Sequence, residues 1–221
     1  MVKLRATIPL LLGCLLAAST TACAIRPATS TASPGTVTCD YRPSGTPAKP
    51  VDAPDWQNVP ATGTTPVTFD LGDVTLQGEL DRGAAPCTVN SFESLATQGF
   101  YAGTSCHRLS TSGIFILQCG DPTGTGRGGP GYTFNDEVAS DATYPAGTIA
   151  MANSGRDTNG SQFFFVYADS PLPASYTVFG HLDQAAIEAL GDRAYQGQDA
   201  SNADGTGRPL VPTELVSVTL G

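Results

Sequence analysis

The sequence predicts a mainly β domain: a closed, eight-stranded antiparallel barrel capped by two helices. Eight short stretches are rich in alternating apolar, β-branched or aromatic residues. The loops between them draw on 25 glycines and 17 prolines. Helical apolar spacing is confined to two windows. Many short strands divided by Gly-rich loops close naturally into a barrel.

Residues 67–71 and 74–80 alternate and are joined at Gly72-Asp73, a hairpin turn signal. Pro86 opens a helix in which Val89, Phe92 and Ala96 share one face. Asn90 and Glu93 fall in its first turns, where acidic residues suit the helix dipole, and Gly99 ends it. Strands follow at 106–109, 115–118, 148–152, 163–167 and 177–181. A second helix is expected over 183–190, stopped by Gly191, and a last strand over 214–220. These elements make one domain, residues 66–221.

The preceding chain reads as targeting and attachment. Lys3 and Arg5 are the only charges among the first 25 residues, and residues 6–18 form an apolar run of signal-peptide length. A membrane span needs ~20 apolar residues, so this run is too short. It ends in Ser19-Thr20-Thr21-Ala22-Cys23, which resembles a bacterial lipoprotein box, with Thr20 where Leu is usual. Leu11-Leu12-Gly13-Cys14 fits locally but leaves too short an apolar run. Residues 1–22 are therefore expected to be a lipoprotein signal peptide, with Cys23 lipidated and the protein anchored in the membrane on the outer face of the cell. Ordinary secretion, with Cys14 and Cys23 as apolar filler, is the alternative. Residues 23–38, mostly Ala, Thr, Ser and Pro, read as a disordered tether. Residues 39–65 are also rich in Pro and Gly, but Cys39, Tyr41 and Trp56 suggest a belt packed on the domain.

Four cysteines remain after export, an even number that favours disulfides in an oxidising compartment. Three pairings are open. The preferred one joins Cys106 to Cys119, flanking a hairpin, and Cys39 to Cys87, pinning the belt. A metal site is the rival, but spacings of 47, 18 and 12 intervening residues match no zinc signature.

A formal net charge of -9 argues against phosphate-backbone binding, so nucleic acid is not an expected partner. His107 and His181 are the only histidines, and both are expected to be structural. No Gly-x-Ser-x-Gly elbow exists to supply a hydrolase nucleophile. Gly124-Thr125-Gly126-Arg127-Gly128-Gly129 fits the dinucleotide fingerprint formally. Pro130-Gly131 follows where a helix should begin, so the run is a loop.

What remains is a polar and aromatic surface without a nucleophile. Arg108 sits in a strand between apolar and small residues, and the strand containing Phe115, Ile116 and Gln118 returns beside it. A strand, a polar Gly-containing turn and a strand with three consecutive phenylalanines then run from Met151 to Phe165. Three blocks stand in order: Cys106-His107-Arg108 with Phe115-Ile116-Leu117-Gln118-Cys119-Gly120-Asp121; Met151-Ala152-Asn153-Ser154-Gly155 through Thr158-Asn159-Gly160-Ser161-Gln162-Phe163-Phe164; and Val178-Phe179-Gly180.

In this order the blocks resemble the signature of the cyclophilin-type peptidyl-prolyl isomerases, over about residues 67–220. The resemblance implies a cyclophilin-like barrel that isomerises X-Pro bonds, here in exported proteins, with no cofactor and no metal. It casts Arg108 as the catalytic arginine. Phe115, Ile116, Phe164 and Leu172 become the proline-pocket walls, with Ile116 where many members have Met. Gln118 and Gln162 become side chains that bond the substrate backbone, Asn153 the residue whose main chain pairs with the peptide, and Ala152 and Ser154 a small-residue ledge. The implied partners are proline-containing polypeptides, and a monomer is expected. One stretch departs from the pattern. Asp169-Ser170-Pro171-Leu172-Pro173-Ala174-Ser175-Tyr176 is shorter than usual, lacks a rim Trp, and places Tyr176 where a His is common. Strong cyclosporin binding is thereby put in doubt. Arg127 and Arg156 lie near the implied groove, either solvated or biasing substrate sequence.

Overall fold

The computed structural model describes Met1 and residues 34–221. The expected signal peptide, Cys14, Cys23 and the tether as far as residue 33 lie outside the described residues. The chain from residue 34 opens with three short strands, β1 (Thr36–Val37), β2 (Arg42–Pro43) and β3 (Val59–Pro60). The hairpin β4 (Thr64–Asp70) and β5 (Thr75–Asp81) leads into α1 (Pro86–Thr97). Then come β6 (Thr104–Ser105), β7 (Arg108–Ser112), β8 (Ile114–Cys119) and β9 (Tyr132–Thr133). The chain continues through β10 (Thr148–Met151), β11 (Phe163–Val166) and β12 (Val178–Leu182) to α2 (Gln184–Tyr195), and ends with β13 (Glu214–Leu215) and β14 (Ser217–Leu220).

Eight of these strands form one antiparallel sheet in the order β14-β4-β5-β12-β10-β11-β8-β7. The expected mainly β fold with two helices is present, but the sheet is an open half-barrel rather than a closed barrel: β14 and β7, its ends, do not pair with each other. A loop takes the free edge of β7 instead. Leu109 and Gly207 exchange two backbone hydrogen bonds there, of 2.6 and 3.1 Å. Pro209 and Pro212 follow, and proline has no amide proton to continue a ladder. Only the stubs β13 and β6, next to the two edge strands, pair across two residues.

Strand alternation sorts the core. Phe69, Phe163, Phe165, Phe179 and Leu117 turn inward and meet Val89, Phe92 and Leu95 of α1. Ring centroids 4.8–5.9 Å apart join Phe69, Phe92, Phe163 and Phe165 in mostly edge-on contacts. The opposite face carries a second apolar cluster of Ile116, Tyr144, Ala150, Phe164 and Val166. Gly78 and Gly180 sit where β5 and β12 cross closely, and an added Cβ would lie 2.5 and 2.6 Å from a neighbouring carbonyl oxygen.

Both helices differ from expectation. The acid at the start of α1 is Glu137, 49 residues away in sequence from Thr88, which accepts from the Cys87 and Thr88 amides at 3.0 and 2.8 Å. Glu93 pairs with Arg82 instead. The second helix runs through Gly191 to Tyr195, because Asp183 caps it at Ala186 N and the positive-φ residue is Gly197. Among the described residues no helix is long and apolar enough to cross a membrane.

Both preferred disulfides are present, Cys39–Cys87 and Cys106–Cys119. Part of the segment expected as tether, Thr36–Val37, pairs with Val59–Pro60. The belt lies on the domain through β2 and β9, and Tyr41 packs edge-on against Tyr132 and Phe134. Trp56, expected to help hold it, is half exposed.

Candidate active site

The β7–β8 hairpin sets Arg108 directly opposite Gln118, and β8–β11 pairing sets Gln118 opposite Phe164. One register thus places a cation, an amide and an aromatic ring in a row. The Cys106–Cys119 bond and the His107 N–H donated to the Gln118 carbonyl at 3.0 Å brace the same hairpin.

Hydrogen bonds fix the polar side chains in a relay. Arg108 Nη1 donates to Gln118 Oε1 at 3.3 Å, and Gln118 Nε2 donates to Gln162 Oε1 at 2.9 Å. Gln162 Nε2 then donates to the Gly128 carbonyl at 2.9 Å. On its other side Arg108 is held by a loop that no sequence pattern singled out. Its Nε donates to Thr206 Oγ1 at 3.0 Å and its Nη2 to Asp204 Oδ2 at 2.9 Å. Hydrogen bonds from the Thr206 side chain and backbone, with a contribution from Arg108, hold the Asp204 carboxyl down at a pKa of about 2. These residues lie 96 and 98 positions from Arg108, with no periodicity to connect them.

Beside the relay is the apolar face. Phe163 and Phe165 point into the core, so Phe164 points the other way, toward Ile116, and Ala152, Leu172 and Tyr176 pack on this cluster. Phe115 stands apart from it: its ring meets Tyr167 edge-on at 6.0 Å. The 169–176 loop is posted by Tyr144, which sequence reasoning missed. The Tyr144 hydroxyl accepts from the Tyr176 amide at 2.9 Å and donates to its carbonyl at 2.9 Å. Tyr176 in turn lies edge-on to Phe164 at 5.5 Å.

Ala152 donates its amide to the Gln162 carbonyl at 2.9 Å, which ends the ladder. The next residue, Asn153, turns its side chain to the Ser175 carbonyl at 2.8 Å. Among the described residues nothing takes up its backbone N–H or C=O. Ser154 is exposed and leads into a turn closed by Thr158. A free backbone edge beside a pocket is what an extended peptide pairs with.

The surroundings offer no acid–base pair. His107 is buried, neither ring nitrogen has a hydrogen-bond partner among the described residues, and burial holds its pKa below the usual value. The glycine run 124–129 curls around its own anion. Amides of Thr123, Thr125, Gly126 and Arg127 donate to the Asp121 carboxylate at 2.7–3.1 Å. Burial would raise that carboxyl's pKa, but the donors outweigh it and the pKa is lowered. Amides that a dinucleotide phosphate would need are therefore taken. Among the described residues no group of three or more His, Cys, Asp or Glu is placed to hold a metal.

Known proteins place this geometry. "Probable peptidyl-prolyl cis-trans isomerase B" of Mycobacterium tuberculosis (strain ATCC 25618 / H37Rv) is 45% identical over 200 residues, covering 82% of this chain and 63% of that protein. The matched region is thus less than two thirds of the relative's length. A crystal structure of a Cryptosporidium parvum cyclophilin type peptidyl-prolyl cis-trans isomerase superposes with a TM-score of 0.64 at 30% identity, over 72% of this chain and 98% of that one. The same parasite protein, crystallised in the presence of the dipeptide Ala-Pro, gives 0.61 at 30% identity over 71% and 98%. The family described as "Cyclophilin type peptidyl-prolyl cis-trans isomerase/CLD" matches residues 65–218. With its half-barrel, its two helices and most of its length so matched, the chain belongs to the cyclophilin-type peptidyl-prolyl isomerase family.

Proposed function

We propose that this chain is a peptidyl-prolyl cis-trans isomerase acting on X-Pro bonds of exported polypeptides, with Arg108 as its catalytic residue. The observation that carries the reading is the Arg108–Gln118–Gln162 relay beside the apolar cluster of Ile116 and Phe164.

Amide resonance sets a barrier of ~18–20 kcal/mol to rotation. Unaided X-Pro isomerisation takes roughly tens to hundreds of seconds. Weakening that resonance requires no nucleophile and no proton transfer. A guanidinium directed at the prolyl nitrogen favours the twisted amide, whose nitrogen lone pair is free to accept, over either planar ground state. Arg108 is suited to this because it is always charged and its N–H donors are directional. Asp204, Thr206 and Gln118 hold the guanidinium in place, so little reorganisation is needed as the bond turns. Ile116, Phe164 and Leu172, with Phe115 at the margin beside Tyr167, hold the pyrrolidine ring in an apolar setting. Tyr176 covers the rim, and the Asn153 backbone, flanked by Ala152 and Ser154, pairs with the substrate chain. Gln118 and Gln162 orient the acyl side.

The export setting is part of the same reading. Two disulfides that use every cysteine of the described residues fit an oxidising compartment. The reading has residues 1–22 as a lipoprotein signal, Cys23 as the lipid anchor, the chain from there to residue 35 as tether, 36–65, which includes the paired Thr36–Val37, as belt and 66–221 as the isomerase domain. Mass spectrometry of the mature chain checks the anchor: a diacylated Cys23 at the new terminus is expected, and an unmodified terminus elsewhere contradicts it. Exchange NMR on an Ala-Pro peptide checks the activity. Catalytic amounts of the chain are expected to bring cis–trans exchange from minutes to below a second, and exchange at the uncatalysed rate would refute the function.

A further inference from the structure

Next to the relay lies a groove of about 630 Å3, shared among three parts of the chain. The glycine-rich run 126–131 and the segment from Ala152 to Thr158 form two of its sides, and Gln118 and Gln162 border it. The third side is Ser44-Gly45-Thr46 of the amino-terminal belt. That belt lies outside the residues the family matches, 65–218.

The belt is fixed in place as a wall. Ser44 N donates to the Gly131 carbonyl at 2.8 Å and Ala48 N to the Gly129 carbonyl at 2.9 Å. Arg42 and Pro43 pair with Thr133 and Tyr132 in β9. Pro47 fills the space over Gly131, where an added Cβ would come within 2.9 Å of its ring. The Cys39–Cys87 bond ties the start of the belt to α1. A ladder anchored at both ends keeps its side of the groove closed.

The chemistry of the lining is one-sided. Hydroxyls, amides and backbone groups make up most of it, no carboxylate contributes, and Arg127 is the one charged residue among the described residues that line it. The Arg127 backbone amide is held by Asp121 at 3.1 Å, while its side chain is exposed and has no ion-pair partner among the described residues. Because Gln118 and Gln162 belong to both the relay and the groove, a chain bound at the relay continues into the groove within one or two residues of ~3.3 Å each.

We propose that Ser44–Thr46 and Arg127 form a specificity subsite that takes an acidic side chain flanking the isomerised proline. This rests on the isomerase reading and adds that the belt helps choose the client. The test measures kcat/KM of the full chain on X-Pro peptides carrying Glu, Gln or Lys at each flanking position. At one position Glu is expected to exceed Lys by about fivefold, as suits an ion pair to an exposed arginine. Arg127→Glu is expected to reverse that order. Thr46→Trp, which crowds the groove, is expected to lower the ratio of flanked peptides to a bare Ala-Pro peptide at least threefold, with unfolding midpoints checking that both variants fold. A Glu-to-Lys ratio unchanged by Arg127→Glu would overturn the subsite. If the wild-type chain turns over no peptide, the isomerase reading fails, and anisotropy binding of the same labelled peptides still decides the subsite: equal affinity for Glu and Lys peptides would overturn it.

Discussion

Arg108 is held by three partners on two different parts of the chain, and each contributes to where its charge points. Asp204 touches the Arg108 guanidinium, so in the proposed mechanism it acts as a positioning residue. Asp204→Asn keeps the shape and removes the charge. The expected result is a fall in kcat of about two- to fivefold with KM little changed, as suits a partly exposed pair. An equal loss in both, or a lowered unfolding midpoint, would mark a merely structural role. The pH dependence follows from the same carboxyl. Its folded pKa is depressed to about 2, so the Arg108 contact is present above that value and is lost only as pH falls through it. With burial lowering the His107 pKa and no proton transfer in the proposed step, turnover is expected to be flat across neutral pH. A limb near neutral pH would bring His107 into the chemistry. Arg108, Gln118, Gln162 and Phe164 were legible through the ordered blocks that resemble the cyclophilin signature, and strand pairing brings those blocks together. Asp204, Thr206 and Tyr144 were not, because loop closure joins them to the site from far along the chain.

Among the elements, strand positions were legible to within a few residues because period-two alternation is local. Barrel closure was not, since it depends on whether two edges distant in sequence meet. Here Gly207 bonds to β7 and leaves the sheet open. Pro86 and Gly99 bound α1 as expected, but two other helix-end signals were misread for a similar reason. Gly191 lies inside α2, and the group that satisfies the first amides of α1 is a carboxylate from another loop. Pro86 at the first turn spares one donor, and Ala85 offers no side-chain cap, which leaves Glu137 to do the capping. Glu137→Ala is therefore expected to destabilise the fold by about 1 kcal/mol, within the range for a lost cap. Urea unfolding checks this, and an unchanged midpoint with unchanged slope would show the contact to be idle.

At the scale of the molecule, one covalent link ties the belt to α1 and a second closes the β7–β8 hairpin. The Cys39–Cys87 link spans 48 positions and the Cys106–Cys119 link 13. Loop-closure entropy gives about 4 and 3 kcal/mol for loops of these lengths. Unfolding of Cys39→Ser/Cys87→Ser and Cys106→Ser/Cys119→Ser variants is expected to show losses in that order. The reverse order would mean that the hairpin bond contributes more than its loop. Turnover before and after reduction separates bracing from redox control: equal rates are expected of a brace, and a large change would make the Cys106–Cys119 bond a switch. Both pairings were legible because an even cysteine count and one hairpin left few sensible choices. The belt's place against the groove was not, because it depends on β2 meeting β9 with 88 residues between Pro43 and Tyr132.

The central claim is that a fixed guanidinium, and no proton transfer, turns the prolyl bond. Its most direct test is exchange NMR of an X-Pro peptide with Arg108→Ala beside the wild-type chain. A drop in kcat of about 100-fold or more is expected, the scale for losing one oriented electrostatic donor, with peptide affinity and unfolding midpoint nearly unchanged. A variant that isomerises the peptide as fast as the wild type would contradict it.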